Sequence, residues 1–516
     1  MGLNWLDLTI VVVYLAGITA FGLRFRKRQR SLRDYFLAGK DVPWWAISLS
    51  IVAAETSTLT IISIPGLAYS TNFTFLQLVM GYIVGRVVIS FLFIPHYFRG
   101  DLFTAYELMD RRFGRRLRSL TAGLFLITRA AAEGVRVFAV AIVVRIALAW
   151  VFAGMSDFGR DVAAIAIVSA LTMIYTFEGG MAAVIWTDVV QLAIYICGTA
   201  VGVFTLLKLV PGGWPEVHAI AAAAGKFRVF NFTWTFWQDY TFWAGLIGGA
   251  FLTTASHGTD QLIVQRLLAA RSEAQSKAAL LFSGIAVFGQ FALFLLVGAM
   301  LFAYYRLPVA AWEKTDYIFP TFIVQHMPQV VRGIMIAAIL AAAMSNLSAA
   351  LNSLSSSAII DFYMRMRPHA SERDRIVLSR AATVLWGLVL FVLAVLSRGQ
   401  GSVVEVGLRI ASVAYGALLG TFLLGTLTKR ANESGAMVGF ACGFAWNCFM
   451  WISFLMRSRW PSVTAAPLMW RVSHVPFTWY VMIGSVITFS IGYAASYLTA
   501  SPDPNPALET RSRSHA

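Results

Sequence analysis

The chain has 516 residues, of which 58% are hydrophobic and only 13% are charged, and its mean hydropathy is +0.71. A soluble domain of this length cannot bury so much apolar surface, so the composition excludes an ordinary soluble protein and favours a chain solvated by a bilayer. The formal net charge of +16 does not indicate a nucleic-acid partner, because the basic residues gather in alternate loops, as the positive-inside rule describes.

A membrane-spanning helix needs about 20 mainly apolar residues. Stretches of this kind predict an all-α, polytopic membrane protein with about 13 transmembrane helices. The predicted spans are 5–23, 43–69, 74–98, 119–149, 161–177, 182–207, 238–265, 277–304, 331–357, 379–397, 402–427, 434–456 and 476–499. One transmembrane domain would then cover residues 1–499, and the segment 500–516, with its Pro and Ser residues, is expected to be a short disordered cytoplasmic tail.

The basic loops also predict an orientation. Lys and Arg residues concentrate in 24–40, 99–118, 266–277, 365–380 and 429–430. Because such loops stay on the cytoplasmic side, we expect the N-terminus outside and the C-terminus inside. The chain would be a multi-pass protein of the inner or plasma membrane, with membrane lipids as its neighbours.

The second predicted span carries polar side chains at depths where lipid would penalise them. The run comprises Glu55, Thr56, Ser57, Thr58, Thr60 and Ser63, and it ends in Pro65–Gly66. Because proline removes a backbone donor and glycine adds conformational freedom, this end of the run predicts an interrupted helix. Irregular backbone at membrane depth is tolerated only inside protein or beside a cavity. The alternative is a simple packed kink.

A second polar stripe lies in the predicted span 331–357. Ser345, Ser348 and Asn352 recur at intervals of three and four residues, so they share one helical face. Small residues at this spacing are typical of tight helix packing, but hydroxyl and amide oxygens also suit a cation. The stripe alone leaves both interpretations open.

Six motifs resemble those of the sodium/solute symporter family, which includes the bacterial proline, galactose and sialic acid symporters. They are DYFLAGKDVPWWAISLS (34–50), IPGLAY (64–69), FTAYELMDRRFG (103–114), YTFEGGMAAVIWTDVVQ (175–191), TDQLIVQRLLAA (259–270) and AAAMSNLSAALNSL (341–354). Their order covers nearly the whole chain. The resemblance implies a LeuT-type core of two inverted five-helix repeats, at about 43–207 and 238–427, that imports a small polar organic solute with Na+ by alternating access.

The resemblance also implies a sodium site. In the family, carbonyls at the break of the first core helix and groups of the eighth core helix hold the main ion; these correspond to Ala53, Thr56, Ala342, Ser345 and Asn346. The family usually has Ser or Thr at the position of Asn346, but an amide oxygen is also a hard ligand. No Lys or Arg is adjacent to these positions as a substitute cation.

A second sodium site is an alternative implied by the same resemblance. Asp188, in the motif WTD, is similar to the aspartate that completes such a site in the sialic acid branch, with Ser345 and Ser348 as its partners. Ala349 replaces a third hydroxyl of that branch. Many family members carry the aspartate without a second ion, so we expect one sodium.

Five polar residues are candidates for contact with the solute: Glu55, Ser57, Thr60, Gln77 and Arg136. A carboxylate within a span is costly, so Glu55 needs a partner; this could be the solute and ion or a fixed ion pair with Arg86.

Arg129, Glu133 and Arg136 lie four and then three residues apart and share one helical face, which leaves one positive charge without compensation. Such a charge suits a carboxylate of the solute, and Arg136 is our candidate for binding it. The alternative is that Glu55 or Asp188 balances the charge from across the bundle. The solute would then be a neutral sugar or polyol.

Functions of other classes have little support. His257, three residues before Asp260, is the best candidate for catalytic work, but no nucleophile elbow or metal-ligand spacing accompanies it. No repeated filter sequence suggests a channel. We expect a transporter and not an enzyme; the oligomeric state and the identity of the solute do not follow from the sequence.

Overall fold

The structure is a computed structural model of the chain. It describes residues 4–25, 31–56, 58–99, 102–148, 151–312, 315–367, 369–397, 403–459 and 467–499. The predicted tail at 500–516 and the candidate residue Ser57 lie outside this part of the chain.

The described residues form α-helices, short 3-10 and π-helical segments and loops, and the only β-pairing among them is an isolated bridge between Val42 and Ala270. The helices are α1 (Trp5–Leu23), α2 (Leu32–Leu37), α3 (Trp44–Glu55), α4 (Thr58–Ser70), α5 (Leu76–Leu92), α6 (Ile94–Phe98), α7 (Tyr106–Arg112), α8 (Arg115–Ala147), α9 (Asp157–Leu209), α10 (Gly213–Ala223), α11 (Gly249–Gly258), α12 (Gln261–Leu268), α13 (Glu273–Tyr305), α14 (Ile318–His326), α15 (Val331–Ser357), α16 (Met364–Met366), α17 (Glu372–Leu396), α18 (Val403–Leu427), α19 (Glu433–Arg459), α20 (Pro467–Ser473) and α21 (Tyr480–Leu498).

Eight helices of the described residues are long and apolar enough to cross a membrane, and the bent pair α3–α4 would make a ninth. Helix is present within each of the predicted spans. The helices at the predicted spans 119–149, 161–177, 238–265 and 402–427 are not among these nine. An all-α membrane protein is confirmed, whereas the total of about 13 spans stays a prediction.

The second predicted span is interrupted at Thr56. Helix α3 ends at Glu55, Thr56 has extended backbone angles (φ −81°, ψ 99°), and the axes of the two helices differ by 60°. The interruption predicted at Pro65–Gly66 is therefore wrong, since both residues lie within α4. Helix α13 packs closely against α4 at this point. The backbone of Gly298 in α13 comes so near to Pro65 that a Cβ at Gly298 would lie 2.2 Å from the Pro65 carbonyl oxygen.

A second interruption divides the predicted span 238–265. Helix α11 ends at Gly258, and α12 begins after Asp260, whose Oδ1 accepts a hydrogen bond of 2.9 Å from the backbone N–H of Leu262. Aspartate is a favoured N-cap residue because its carboxylate satisfies a free donor of the first helical turn. The two interrupted helices, α3–α4 and α11–α12, begin the two predicted repeats.

Helix α15 lies at the centre of the molecule. Every residue from Met335 to Ser357 is buried, and α15 contacts α1, α8, α9 and α17. Its polar stripe therefore faces protein and not lipid. Its main neighbour α9 bends at Gly180, where a φ of 55° and a ψ of −157° suit only glycine. The bend separates the two spans predicted at 161–177 and 182–207.

Candidate functional site

A cavity of about 390 Å³ lies between the two interrupted helices. Residues from both sides of each interruption line it, together with side chains of α8 and α18. Its polar lining includes Glu55, Thr60, Arg129, Arg136, His257 and Tyr415. A mainly apolar concavity with a few convergent polar groups is the usual form of a small-molecule site.

Glu55, at the end of α3, is held by a buried basic group. It forms an ion pair with Arg86 of α5, whose Nε also donates to Ser283 Oγ at 3.2 Å. His257 Nε2 lies 3.4 Å from Glu55 Oε2 and 3.2 Å from Arg86 Nη2. The predicted ion pair with Arg86 is thus present. Glu55 also lines the cavity, so its ion pair with Arg86 does not prevent a contact between Glu55 and the solute.

The charged face of α8 is balanced by the capping residue of α12. Glu133 Oε1 lies 2.7 Å from Arg129 Nη2 and 2.7 Å from Arg136 Nη1. Arg129 Nη1 donates to Asp260 Oδ2 at 3.4 Å, and the Tyr415 hydroxyl donates to the same oxygen at 2.7 Å. Two arginines therefore meet two carboxylates.

The alternative that Glu55 or Asp188 balances the positive charge of α8 is wrong. Glu55 is engaged by Arg86 and Asp188 by Arg266, so neither balances the charge. Arg136 has Glu133 as its one carboxylate partner among the described residues, and 24% of its side chain remains exposed. Arg136 lines the cavity, and its guanidinium has further N–H donors besides the one that contacts Glu133.

The five predicted sodium ligands are all buried: Ala53, Thr56, Ala342, Ser345 and Asn346. Helices α3 and α15 are in contact, which brings the two halves of the set into one region. Neither the Nδ2 nor the Oδ1 of Asn346 has a hydrogen-bond partner among the described residues. An unpaired buried polar group costs about 1–3 kcal/mol, so the free amide oxygen fits a ligand for a hard cation.

The predicted second sodium site is only partly assembled. Asp188 accepts hydrogen bonds from Ser345 Oγ at 2.7 Å and from Ser50 Oγ at 2.5 Å. Arg266 Nη2 also donates to Asp188, at 2.9 Å, so an arginine does stand beside the sodium region, contrary to expectation. Ser348 Oγ donates to the backbone carbonyl of Ser345 in its own helix and does not bond Asp188.

The candidate solute residues separate into two groups. Glu55, Thr60 and Arg136 line the cavity, whereas Gln77 does not. The Gln77 amide Nε2 donates to the carbonyls of Thr74 and Tyr240, and its Oε1 accepts from the N–H of Asn231. These hydrogen bonds hold a loop in place, and the contact of Gln77 with the solute stays a prediction.

Sequence reasoning missed Asp260, Arg266 and Tyr415 as members of the site. Asp260 and Arg266 lie in the motif TDQLIVQRLLAA, where an aspartate before a short helix could have signalled an N-cap within a span. Tyr415 carries no such local signal, because its role depends on a partner in a distant helix.

The sequence matches the model of the sodium:solute symporter family over residues 35–443. It is 30% identical over 501 residues to the sodium/sialic acid symporter NanT of Aliivibrio fischeri, covering 95% of this chain and 92% of the relative. Over 451 residues it is 30% identical to the sodium/sialic acid symporter SiaT of Proteus mirabilis, covering 84% and 87%. Over 482 residues it is 25% identical to the sodium/glucose cotransporter of Vibrio parahaemolyticus, covering 87% and 86%.

The fold also has close counterparts. A solved substrate-bound, outward-open Na+-coupled sialic acid symporter has a TM-score of 0.82 at 28% identity, covering 96% of this chain and 99% of the other. A transporter of the nucleobase-cation-symport-1 family has a TM-score of 0.53 at 12% identity, which shows a likeness of fold alone. The predicted LeuT-type fold is confirmed. The chain belongs to the sodium:solute symporter family, and it is a membrane symporter that couples Na+ to a small-molecule solute and not an enzyme.

Proposed function

We propose that the solute bears a carboxylate and that Arg136 binds this group inside the cavity. The observation that carries the proposal is the position of Arg136, which lines the cavity and meets one carboxylate, Glu133, at 2.7 Å. A guanidinium has five donors in a planar fork that matches a carboxylate. Two relatives are named as sialic acid symporters, which supports a sugar acid as the solute class.

The proposed coupling ion is one Na+, held by Ala53, Thr56, Ala342, Ser345 and Asn346. Burial of all five residues and the unpartnered amide of Asn346 support this set. The contact of Arg266 with Asp188 supports a single ion, because the charge of the aspartate is already matched. A second sodium at Asp188, Ser345 and Ser348 would have to displace that contact.

Residues at the two predicted membrane faces support alternating access. Its lining includes Thr315 and Asp316, between α13 and α14, in a loop that the proposed orientation puts outside. On the other side, Arg118 donates to Asp361 Oδ1 at 2.8 Å and to Asp110 Oδ2 at 3.0 Å. Solute and Na+ would enter from outside, and release inward would require these contacts of Arg118 to separate.

The proposed topology is one transmembrane domain, 1–499, in the inner or plasma membrane, with repeats at about 43–207 and 238–427. The N-terminus would lie outside and the C-terminus inside. The interruptions at Thr56 and at Thr259–Asp260 support the repeats, since one occurs near the start of each. With the native cysteines Cys197, Cys442 and Cys448 replaced, an impermeant maleimide should label a single cysteine near the N-terminus in intact cells, and one near the C-terminus only after the cells are permeabilised.

A neutral sugar or polyol is the second candidate solute. Arg129 and Arg136 carry two positive charges, and Glu133 and Asp260 carry two negative charges, so the four side chains are neutral together. Arg136 would then have a structural role only. The relative named as a sodium/glucose cotransporter is consistent with this alternative.

Binding and uptake by the purified protein in liposomes distinguish the two candidates. A sugar acid, its neutral alcohol and glucose would be compared under an inward Na+ gradient, with K+ and choline as controls. Uptake of the acid alone is expected. Uptake of the alcohol or of glucose at the same rate would remove the carboxylate from the proposal. Ser345→Ala should raise the half-saturating Na+ concentration sharply; an unchanged value would contradict the sodium site.

A further inference from the structure

We propose that Gln290 of α13 is a positioning residue for sodium binding: it fixes Thr56 at the interruption between α3 and α4, so that the Thr56 carbonyl faces the ion. The inference rests on the proposed sodium site and adds a residue outside the ligand set.

The geometry at the interruption consists of two consecutive hydrogen bonds. Gln290 Nε2 donates to Thr56 Oγ1 at 2.6 Å, and Thr56 Oγ1 donates to the carbonyl oxygen of Val52 at 2.8 Å. The Thr56 N–H donates to the same carbonyl at 3.0 Å. Rotation of Thr56 would therefore break several bonds at once, in a region where no bulk water could replace them.

Packing alone does not account for a glutamine at this position. Gln290 is only 4% exposed, and its Oε1 has no hydrogen-bond partner among the described residues. An apolar side chain of similar size would avoid the cost of burying that oxygen. The hydrogen bond from Gln290 Nε2 to Thr56 Oγ1 is a polar interaction that an apolar side chain could not make, so it gives a reason for an amide at this position.

The helices around Gln290 also suit a residue that holds the interruption between α3 and α4 in place. Helix α13 contacts both α3 and α4, so Gln290 lies beside both halves of the interrupted helix. Tyr195 of α9 approaches Thr56 and Gln290 from another side. Thr56 is thus held between two long helices, and a support of this kind acts on the ion through the ligand that it orients.

The proposal is tested by the sodium dependence of the thermal stability of purified Gln290→Met, Thr56→Val and the double variant. Each single change should raise the half-saturating Na+ concentration about five- to tenfold, the loss expected from one buried hydrogen bond. The double variant should show no further rise, because both changes remove the same contact. In Gln290→Met, the Kd of the solute at saturating Na+ should stay within twofold of the native value.

The matched control is Gln275→Met, the same substitution in the same helix about 22 Å away, from a rise of 1.5 Å per residue. It should leave the Na+ dependence unchanged. The proposal is overturned if Gln290→Met behaves like this control, if its effect adds to that of Thr56→Val, or if Na+ and solute affinities fall equally. Should Gln290→Met fail to fold, Gln290→Leu takes its place and is judged by the same three criteria. An unchanged Na+ dependence of Ser345→Ala would instead show that the proposed sodium site is wrong.

Discussion

Replacement of Arg136 by lysine tests the assignment of the solute carboxylate. The native guanidinium keeps its contact with Glu133 and presents further donors to the cavity. Lysine preserves the charge but has no planar fork. Loss of one charge-assisted hydrogen bond costs about 1.5–3 kcal/mol, so we expect the carboxylate solute to bind about ten- to a hundredfold more weakly.

The structural cost of Arg136→Lys should be small by comparison. Glu133 is also paired with Arg129 at 2.7 Å, and a lysine ammonium at position 136 keeps the positive charge beside it. The melting temperature and the Na+ dependence should therefore change little. Isothermal titration at saturating Na+ would measure the solute Kd, and a thermal scan would measure stability.

Arg145→Lys is the matched control, because it makes the same change in the same helix. The Arg145 guanidinium contacts Asp157 at 2.9 Å and Asp161 at 3.1 Å and does not line the cavity. This variant should bind the solute as the native protein does. If Arg136→Lys also binds the solute with native affinity, or if the solute proves to be uncharged, the carboxylate assignment fails while sodium coupling stands.

Three further predictions concern other parts of the molecule. Asn346→Ser should keep Na+-dependent uptake because it retains a side-chain oxygen, and Asn346→Leu should abolish it; equal uptake by the two would remove this residue from the ion site. Asp188→Asn leaves Arg266 buried without its carboxylate, so a thermal scan should show destabilisation by about 3–5 kcal/mol, and the native Hill coefficient for Na+ should be near one. Burial raises the pKa of the Glu107 carboxyl, so the folded protein gains stability at low pH that is lost as pH rises through this pKa. The melting temperature of the native protein relative to Glu107→Gln should thus fall as pH rises above the ordinary range of a glutamate carboxyl, and a rise would contradict the assignment.

The general fold could be predicted because its signals are local. Apolar runs and the six motifs were sufficient for an all-α symporter, and the polar run after Glu55 correctly marked an interrupted helix. Its position was misjudged because Pro65 is a strong local signal, whereas the packing of Gly298 against it is not visible in the sequence.

Contacts between distant residues account for most of what sequence reasoning missed. Arg266 and Asp188 are 78 residues apart, and Arg129 and Asp260 are 131 apart. Each residue has several possible partners of opposite charge in other helices. Only the folded bundle selects among them, so charge balance at the site could not be assigned in advance.

The interruption after Glu55 has a thermodynamic consequence. Thr56 belongs to the proposed sodium set, while Glu55 and Thr60, on either side of it, line the solute cavity. Fixing the backbone of a residue costs about 1–2 kcal/mol in conformational entropy. If the first ligand restricts this segment, the second binds to backbone that is already ordered, and each ligand raises the affinity for the other by the same factor. The entropy of one short segment of backbone would then be enough to link the two binding equilibria.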